Sequence, residues 1–337
     1  MFAVSDLMHT KPIIGPAAWV RADFTGPDQW TVAFSADDIA ELFAALEHAR
    51  ATGKAFRDLT RDDFPLDGLV AKLREVSREL DEGRGFVVLS GFPIDSDIPG
   101  IDVETMYWGL CAHLGTAVTQ NGLGEVIVRV ADYGNGGLAN SASRGYQTNE
   151  SLPFHTDSSD IVGLLCLNSA GAGGQSSLTS SMTIHNELVR DHRELLGVYY
   201  TGFYYDRRDE QSRDELPYYR NSVFAWHHDR LTCRYYLRQF IESARERFGI
   251  HVSEVERLAL DTFDMIANRR ENKVDMHIHP GEIQLVNNNV IVHARAAYTD
   301  TDRVSRELLR IWLNPSDSPA PPAGHAAFRD GMPPAMR

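Results

Sequence analysis

The chain has 337 residues, of which 43% are hydrophobic and 24% charged, as in a globular protein with one large domain or two ordinary ones. No apolar run approaches the roughly 18 residues that a membrane-spanning helix needs, so we do not expect the chain to be a membrane protein. The first residues do not have the pattern of a secretory signal, and we expect a cytoplasmic protein. The formal charge of −14 repels nucleic-acid phosphates and favours a small-molecule partner.

The N-terminal part of the chain, residues 1–84, is predicted to be mainly helical. Ser35 and Asp38 have the spacing of a capping box, and the apolar residues that follow repeat at helical spacing until Gly53. A second helical pattern spans residues 66–80, and the apolar run GFVVLSG after it predicts a buried strand. We therefore expect a helical embellishment that leads into a β-rich domain.

From about residue 118 the pattern changes to short β-type runs separated by Gly, Asn and Asp. The predicted strands are VIVRVA at 126–131, VGLLCL at 162–167, GVYYTGFYY at 197–205, EIQLVN at 282–287 and LLRIWL at 308–313. Helical patterns at 181–196 and 235–268 interrupt them, which indicates a β core with packed helices rather than a regular βαβ alternation. We expect a mainly β sandwich or open barrel over residues 85–313. The Pro- and Ala-rich residues 314–337 predict a loosely held tail.

A candidate metal site begins with His155 and Asp157, which are separated by one residue in LPFHTDSSD. In an extended segment such residues project to the same side, so an imidazole and a carboxylate can converge on one ion. The pair alone is weak support, because a surface histidine beside a capping aspartate has the same pattern. His293, at the end of NNNVIVH, supplies a second imidazole. Two imidazoles and one carboxylate are typical of iron(II) sites with open positions, whereas structural zinc usually takes four protein ligands.

Two arginines follow the second histidine in the segment SRELLRIWL. Arg306 and Arg310 are four residues apart, so on a regular strand both side chains would lie on the same face. Each guanidinium group can bind a carboxylate through two hydrogen bonds. Paired arginines at a strand end also form ordinary surface ion pairs. The order H-x-D, His and R-x-x-x-R favours the ligand-binding interpretation.

With these motifs the sequence resembles the taurine dioxygenase and clavaminate synthase-like group of iron(II)/2-oxoglutarate oxygenases over residues 85–313. The resemblance implies a distorted double-stranded β-helix, or jelly-roll, core. It implies that His155, Asp157 and His293 bind the iron, and that Arg306 binds the C5 carboxylate of 2-oxoglutarate.

The resemblance also implies further contacts around the iron. Arg310 is expected to meet an acidic group of the substrate. The family has a G-G-x-T segment whose hydroxyl group reaches the C5 carboxylate; this chain reads GGQS, so Ser176 replaces the threonine and Ser177 or Thr179 stays an alternative. Candidate substrate contacts just before the first ligand strand are Tyr146, Asn149 and Ser151. Each of these three residues can equally serve to shape a loop.

The implied reaction consumes dioxygen and 2-oxoglutarate, releases succinate and carbon dioxide, and oxidises a substrate by hydroxylation, desaturation or ring closure. Asp157 argues against a halogenase, because related halogenases replace that carboxylate. Arg310 favours a small carboxylate-bearing substrate such as an amino acid. A homodimer is compatible with the sequence, although no motif specifies it.

Three other interpretations stay open. GAGGQS at 171–176, with Asp191 further along, imitates a dinucleotide-binding fingerprint of an oxidoreductase, although the βαβ alternation is missing. A cupin-like metal site can instead use His227–His228, or His277 and His279. A jelly-roll protein that binds a small ligand without catalysis would show the same motifs.

Overall fold

The computed structural model describes residues 8–134, 144–301 and 304–333. The helices in these ranges are α1 (Ala36–Thr52), α2 (Leu69–Asp81), α3 (Gly100–Ala112), α4 (Ser181–Asp191), α5 (Leu196–Thr201), α6 (Gln239–Phe248) and α7 (Glu254–Ala267). The strands are β1 (Thr31–Ala33), β2 (Phe86–Ser90), β3 (Thr116–Ala117), β4 (Ile127–Val130), β5 (Leu152–His155), β6 (Ile161–Asn168), β7 (Ala172–Gly173), β8 (Ser176–Ser180), β9 (Phe203–Asp206), β10 (Tyr218–Asn221), β11 (Phe224–His227), β12 (Arg230–Cys233), β13 (Lys273–Met276), β14 (Ile283–Asn287), β15 (Ile291–Arg295), β16 (Tyr298–Thr299) and β17 (Glu307–Asn314). None of the helices in these ranges combines the length and apolar character needed to cross a bilayer.

Two sheets form the centre of the molecule. The larger sheet has the order β1-β2-β14-β6-β17-β3, with β4 also paired to β17, and the smaller sheet has the order β13-β8-β15-β5. All neighbouring strands in them are antiparallel except the β1–β2 pair. Leu178 of the smaller sheet shares an apolar cluster with Val286 and Trp312 of the larger sheet. This arrangement is a distorted double-stranded β-helix, and it confirms the predicted mainly β fold.

The predicted N-terminal helices are present and pack on the outer face of the larger sheet. Ser35 caps α1, because its hydroxyl group accepts a hydrogen bond from the Asp38 amide at 3.2 Å and its own amide donates to the Asp38 carboxylate. Gly53 ends the helix in the left-handed conformation, with φ of 67°. Apolar side chains of α1, α2 and α3, such as Leu46 and Leu73, share one cluster with the larger sheet. Burial of this apolar face holds the helices in place.

The other helices cover the outer face of the smaller sheet. Val292 of β15 packs in an apolar cluster with residues of α4, α5 and α7, including Tyr199 and Phe263. The Thr179 hydroxyl group donates a hydrogen bond to the last carbonyl of α7, on Ala267, at 3.0 Å. The sheets are therefore supported on both outer sides, while their inner faces remain available for a site.

One predicted strand was wrong in its first half. Residues 197–201, part of the aromatic run GVYYTGFYY, lie in α5, and only the second half of the run forms β9. Gly202 makes the sharp change, with φ of 74° and the carbonyl oxygen of Asn221 only 1.9 Å from where a Cβ atom would lie. Tyr199 is fully buried against α7 and donates to the Ala259 carbonyl oxygen at 2.6 Å. Tertiary packing overrides the β propensity of the aromatic residues here.

The C-terminal segment differs from the loosely held tail that its composition predicts. Arg329 forms an ion pair with the buried Asp160 at 2.6 Å. His325 is buried, and the Phe328 ring lies edge-on to Tyr219 with 5.6 Å between ring centres. The Pro- and Ala-rich composition predicts weak packing. It does not reveal the ion pair with the distant Asp160 that holds the segment in place.

Candidate metal centre

Three ligand groups come together where β5 ends and β15 runs beside it. His155 is the last residue of β5, Asp157 follows just after it, and His293 lies directly opposite His155 in the antiparallel pair. One ligand atom from each of the three residues lies within 4.8 Å of the other two. The two imidazole rings are 4.4 Å apart, and Nε2 of His293 is 3.9 Å from a carboxylate oxygen of Asp157. The three predicted ligands are therefore brought together.

The ligands are buried in the protonation states that a metal ion requires. Burial lowers the pKa of both imidazoles, and that of His293 falls to about 3. Burial opposes ionisation of Asp157, but the charge of Arg310 holds the pKa of its carboxyl group below the usual value. Nδ1 of His155 lies 2.8 Å from the Pro153 carbonyl oxygen, which leaves Nε2 for a metal. Two neutral imidazoles and a carboxylate at neutral pH form the donor set of a facial iron(II) site.

The loop that carries Asp157 is fixed by two buried asparagines. The Asn288 side chain accepts a hydrogen bond from the Asp157 amide at 3.0 Å and donates to the Ser159 carbonyl oxygen at 3.0 Å. The Asn314 side chain accepts from the Asp160 amide at 3.0 Å. Both asparagines hold the backbone of the loop rather than its side chains. They can therefore position the carboxylate before a metal ion binds.

Arg306 lies just before β17 and is buried beside the Tyr298 ring, with 5.0 Å between the guanidinium carbon and the ring centre. Gly174 makes room for it, because a Cβ atom on that glycine would lie 3.1 Å from Nε of Arg306. Among the described residues no acidic side chain forms an ion pair with Arg306, and its Nη1 is buried without a hydrogen-bond partner. Burial lowers the pKa of its guanidinium group. This arginine is suited to bind an anion from outside the chain.

Of the three candidate hydroxyl groups, that of Ser176 faces the space between the sheets. It donates a hydrogen bond to the Gln284 side chain of the larger sheet at 3.1 Å. The Ser177 hydroxyl group bonds outward to Asp275, and that of Thr179 bonds to α7. The geometry therefore favours Ser176 over its two neighbours as an inward-facing group.

Arg310 lies directly beside the metal ligands. Its Nη1 is 3.4 Å from a carboxylate oxygen of Asp157, and its guanidinium carbon lies 5.0 Å from the Tyr146 ring and 4.9 Å from the Trp312 ring. Gln120 fixes its direction, because the amide oxygen accepts from Nε at 2.7 Å and the amide nitrogen donates to the Arg310 carbonyl oxygen at 2.9 Å. The rest of the guanidinium fork is held close to the metal site.

Arg306 and Arg310 contact different parts of the site. Arg306 lies over the Tyr298 ring, whereas Arg310 lies next to Asp157. The pairing of β17 with β6 is irregular at the start of β17, and the extra residue there, Leu167, belongs to β6. A bulge on β6 leaves the alternation of side chains along β17 unchanged, so a shared face for the two arginines stays a prediction.

The candidate substrate contacts before β5 are placed differently from one another. Tyr146 packs under Arg310, and its hydroxyl oxygen is 3.4 Å from the Asn121 side-chain nitrogen. Asn149 and Ser151 are exposed. Tyr146 is therefore the member of this group that the structure brings next to a candidate site residue.

The alternative site residues are not assembled in the same way. His277 and His279 are exposed, with ring centres 6.2 Å apart, and His227–His228 lie at the turn between β11 and β12. Within the described ranges the His155 group is the one set of at least three potential ligands close enough to share an ion. Residues 171–176 lead into strand β8, whereas a dinucleotide fingerprint requires a helix at that point.

Three buried polar residues around the site were not predicted. Gln120 carries no sequence signal for its role, because Arg310, which it orients, lies 190 residues further along the chain. Asn288 belongs to the polar run before His293. Such a run beside an apolar strand is a signal for buried polar contacts, but it is easily interpreted as an ordinary turn. Arg295 lies two residues after His293, so strand alternation already places both side chains on one face.

Residues 52–312 match the family described as taurine catabolism dioxygenase TauD, TfdA family. The chain is 41% identical over 327 residues to FR-33289 synthase of Streptomyces rubellomurinus, and the match covers 96% of each chain. It is 29% identical over 313 residues to the taurine hydroxylase-like protein SAT17 of Stachybotrys chartarum, and this match covers 87% of our chain and 77% of that protein.

Two solved structures show the same fold. An asparagine oxygenase in complex with Fe(II), 3-hydroxyasparagine and succinate matches with a TM-score of 0.65 and 18% identity, over 84% of our chain and 93% of that chain. The non-haem iron oxygenase OrfP, in complex with iron and α-ketoglutaric acid, matches with a TM-score of 0.59 and 16% identity, over 84% and 94%. The resemblance predicted from the motifs is confirmed: the chain belongs to the TauD, TfdA family of dioxygenases.

Proposed function

We propose that this protein uses iron(II) and 2-oxoglutarate to oxidise a small carboxylate-bearing substrate, such as an amino acid, with release of succinate and carbon dioxide. The observation that carries the proposal is the buried triad of His155, Asp157 and His293 beside two arginines. These are Arg306, which has no acidic partner among the described residues, and Arg310, which is held next to Asp157.

The triad supplies three ligands on one side of an ion and leaves the remaining positions to small molecules. Bound iron would supply the activation of dioxygen, coupled to the decarboxylation of 2-oxoglutarate. The chain contributes the position of the ligands. Asn288 holds the Asp157 amide, and Pro153 orients the His155 ring.

Arg306 and Ser176 are the residues that we assign to 2-oxoglutarate. A carboxylate can form paired, charge-assisted hydrogen bonds with a guanidinium group, and burial strengthens them because water is excluded. Arg306 is buried with a free donor, and the Ser176 hydroxyl group faces the space between the sheets. The C5 carboxylate would satisfy the buried charge of Arg306.

Arg310 is the residue that we assign to the substrate, with Tyr146 beneath it. Gln120 occupies Nε of Arg310 and Asp157 lies beside Nη1, so Nη2 remains for an acidic group. The 3.4 Å distance to Asp157 would keep a bound substrate next to the metal. Asn149 and Ser151 stay candidate contacts that a bound substrate could reach.

The full-length match to FR-33289 synthase favours one specific compound. At 41% identity over 96% of both chains, the precursor of FR-33289 is the first substrate to assay, beside a panel of amino acids and other small carboxylates. Substrate-dependent succinate formation with iron(II) and 2-oxoglutarate is the expected result. A protein that binds a compound from the panel but forms no succinate with it would instead be a non-catalytic ligand-binding jelly roll.

Variants of the two arginines test their separate roles in that assay. Arg310→Gln should raise the KM for the substrate and leave the affinity for 2-oxoglutarate unchanged, whereas Arg306→Gln should do the reverse. Arg193→Gln is a matched control, because Arg193 is exposed on the surface. The opposite ranking would reverse the assignment of the two arginines.

A further inference from the structure

Arg295 is a buried arginine for which the proposed function gives no role. It follows His293 by two residues on β15, so both side chains lie on the inner face of the smaller sheet. Its Nη2 donates hydrogen bonds to the carbonyl oxygens of Thr148, at 2.7 Å, and Glu150. Arg295 therefore holds the backbone at two positions of residues 144–151, the segment that leads into the first ligand strand.

The remaining donors of Arg295 have no partner. Its Nε and Nη1 are buried without a hydrogen bond, and Nη1 of Arg306 is in the same condition. Within the described ranges neither arginine forms an ion pair with an acidic side chain. Buried N–H groups of a charged side chain are costly when unsatisfied, so three of them in one place indicate a ligand that accepts hydrogen bonds.

The free donors surround one aromatic ring. The guanidinium carbons of Arg295 and Arg306 each lie 5.0 Å from the centre of the Tyr298 ring, and the Tyr298 hydroxyl group is also buried without a partner. Ser176 is directly opposite Arg295 in the pairing of β8 with β15. Donors from three strands and the turn before β17 therefore face one small region with two positive charges.

We propose that Arg295 is a second arginine of the anion pocket and that it couples occupation of this pocket to the segment of residues 144–151. The inference rests on the proposed function, in which the anion is the C5 carboxylate of 2-oxoglutarate. A carboxylate bound by the free donors fixes the guanidinium group of Arg295. The same group then holds the carbonyl oxygens of Thr148 and Glu150 more firmly. Tyr146, which packs under Arg310, lies in this segment.

The coupling has a consequence for the order of binding. If the anion orders residues 144–151, then 2-oxoglutarate prepares the substrate side of the site before the substrate arrives. The effect must be reciprocal, so a substrate that orders the same segment tightens the binding of 2-oxoglutarate. A purely structural Arg295 would hold the segment equally well with and without 2-oxoglutarate.

The test compares wild-type protein with Arg295→Met, Arg295→Lys and Arg306→Gln under anaerobic conditions, metal-free for the titration with iron(II) and loaded with iron(II) for the other measurements. Arg220→Met is the matched control, because Arg220 is exposed and lies over the Tyr204 ring. Calorimetry gives the Kd of 2-oxoglutarate and of iron(II). Hydrogen exchange of a peptide covering residues 144–151 is measured with and without 2-oxoglutarate.

In the wild type we expect 2-oxoglutarate to slow hydrogen exchange in residues 144–151. Arg295→Met should weaken 2-oxoglutarate binding by about tenfold or more, leave the Kd of iron(II) unchanged and abolish the ligand-dependent slowing. Arg295→Lys should restore part of the affinity, since it retains the charge but not the fork.

Faster exchange in Arg295→Met with an unchanged Kd for 2-oxoglutarate would overturn the inference and leave a purely structural role. A wild type that does not bind 2-oxoglutarate would instead overturn the proposed function, so the two failures are distinguishable. A loss of iron(II) binding in Arg295→Met would also contradict the inference. Arg295→Lys then shows whether the Met variant has simply misfolded.

Discussion

Two pairs of buried arginines in this fold differ in what neutralises them. Arg234 and Arg329 both contact the carboxylate of Asp160, at 2.9 Å and 2.6 Å. Arg295 and Arg306 have no acidic partner among the described residues. A carboxylate of the chain itself neutralises the first pair, whereas no carboxylate of the described residues neutralises the second pair.

We interpret the first pair as charges that stabilise the fold, and the second pair as charges that a bound ligand neutralises. Burial opposes ionisation of Asp160, but the hydrogen bond from Arg329 and the charges of both arginines lower its pKa below the usual value. The Ser318 hydroxyl group adds a hydrogen bond at 2.8 Å. Such partners within the chain offset the cost of burying a charge at all times. A buried charge that lacks them is tolerated where a bound ligand offsets that cost.

The pair formed by Arg234 and Arg329 acts on the metal site through the loop that carries Asp157. Asp160 is three residues after Asp157, and Asn288 holds the backbone between them. The structural pair therefore fixes one end of the loop that carries a metal ligand. The other pair lies on the side where we place 2-oxoglutarate.

The largest effect is expected from Asp160→Asn. This change leaves Arg234 buried without a counter-charge and leaves Arg329 with only the exposed Asp330, which should lower the free energy of unfolding by about 3–5 kcal/mol. Chemical denaturation measures the loss. Asp317→Asn, in an exposed position nearby, should change stability little. Equal stability of the two variants would remove the distinction between the arginine pairs.

Asn288→Ala should separate positioning of the metal ligand from folding. Loss of the two hydrogen bonds to the loop should weaken iron(II) binding by about 10- to 100-fold, because residues that orient a ligand have effects of this size. The Kd of iron(II), measured by anaerobic calorimetry, checks this. Asn268→Ala, at the exposed end of α7, is the control. Unchanged iron affinity would show that Asp157 needs no support from Asn288.

Acid should destabilise the region around the structural pair through His325. Burial, followed by the charge of Arg234, lowers the pKa of His325 to about 3 from 6.5. Below pH 6.5 the unfolded chain binds a proton that the folded chain does not, so stability falls as the pH is lowered. The loss is about 1.4 kcal/mol at about pH 5.5, one unit below the ordinary pKa.

Denaturation of the wild type and His325→Asn at neutral and acidic pH measures this contribution. The variant has no such group to titrate, so its stability should fall less over the same interval. Identical pH dependence of the two proteins would show that His325 does not remain neutral in the folded state.

The smallest effect on stability is expected from Arg306→Met. It removes a buried charge that has no partner in the chain, so the free energy of unfolding should stay within about 1 kcal/mol of the wild type or rise. The affinity for 2-oxoglutarate should nevertheless fall sharply. Destabilisation as large as that of Asp160→Asn would mean that Arg306 is a structural residue.

Local patterns in the sequence predicted much of the fold and of the site. The capping box at Ser35 and the order of His155, Asp157 and His293 carry fixed spacings, and the structure places each of them as expected. The pairing of Asp160 with Arg329 spans 169 residues and has no sequence signal. Contacts of that kind depend on how the whole chain packs.

Errors arose where tertiary structure overrides a local rule. The aromatic run that begins before Tyr199 has the composition of a strand, yet burial against α7 makes its first half helical. A buried helix of this kind could not be inferred from residue types alone.

The central claim is tested most directly by anaerobic titration of the protein with iron(II) and 2-oxoglutarate. The visible charge-transfer absorption of iron-bound 2-oxoglutarate should appear with the wild type and with His277→Ala, whose histidine is exposed and away from the triad. His155→Ala should abolish it. Absence of the absorption in the wild type, or its loss in His277→Ala with retention in His155→Ala, would contradict the account.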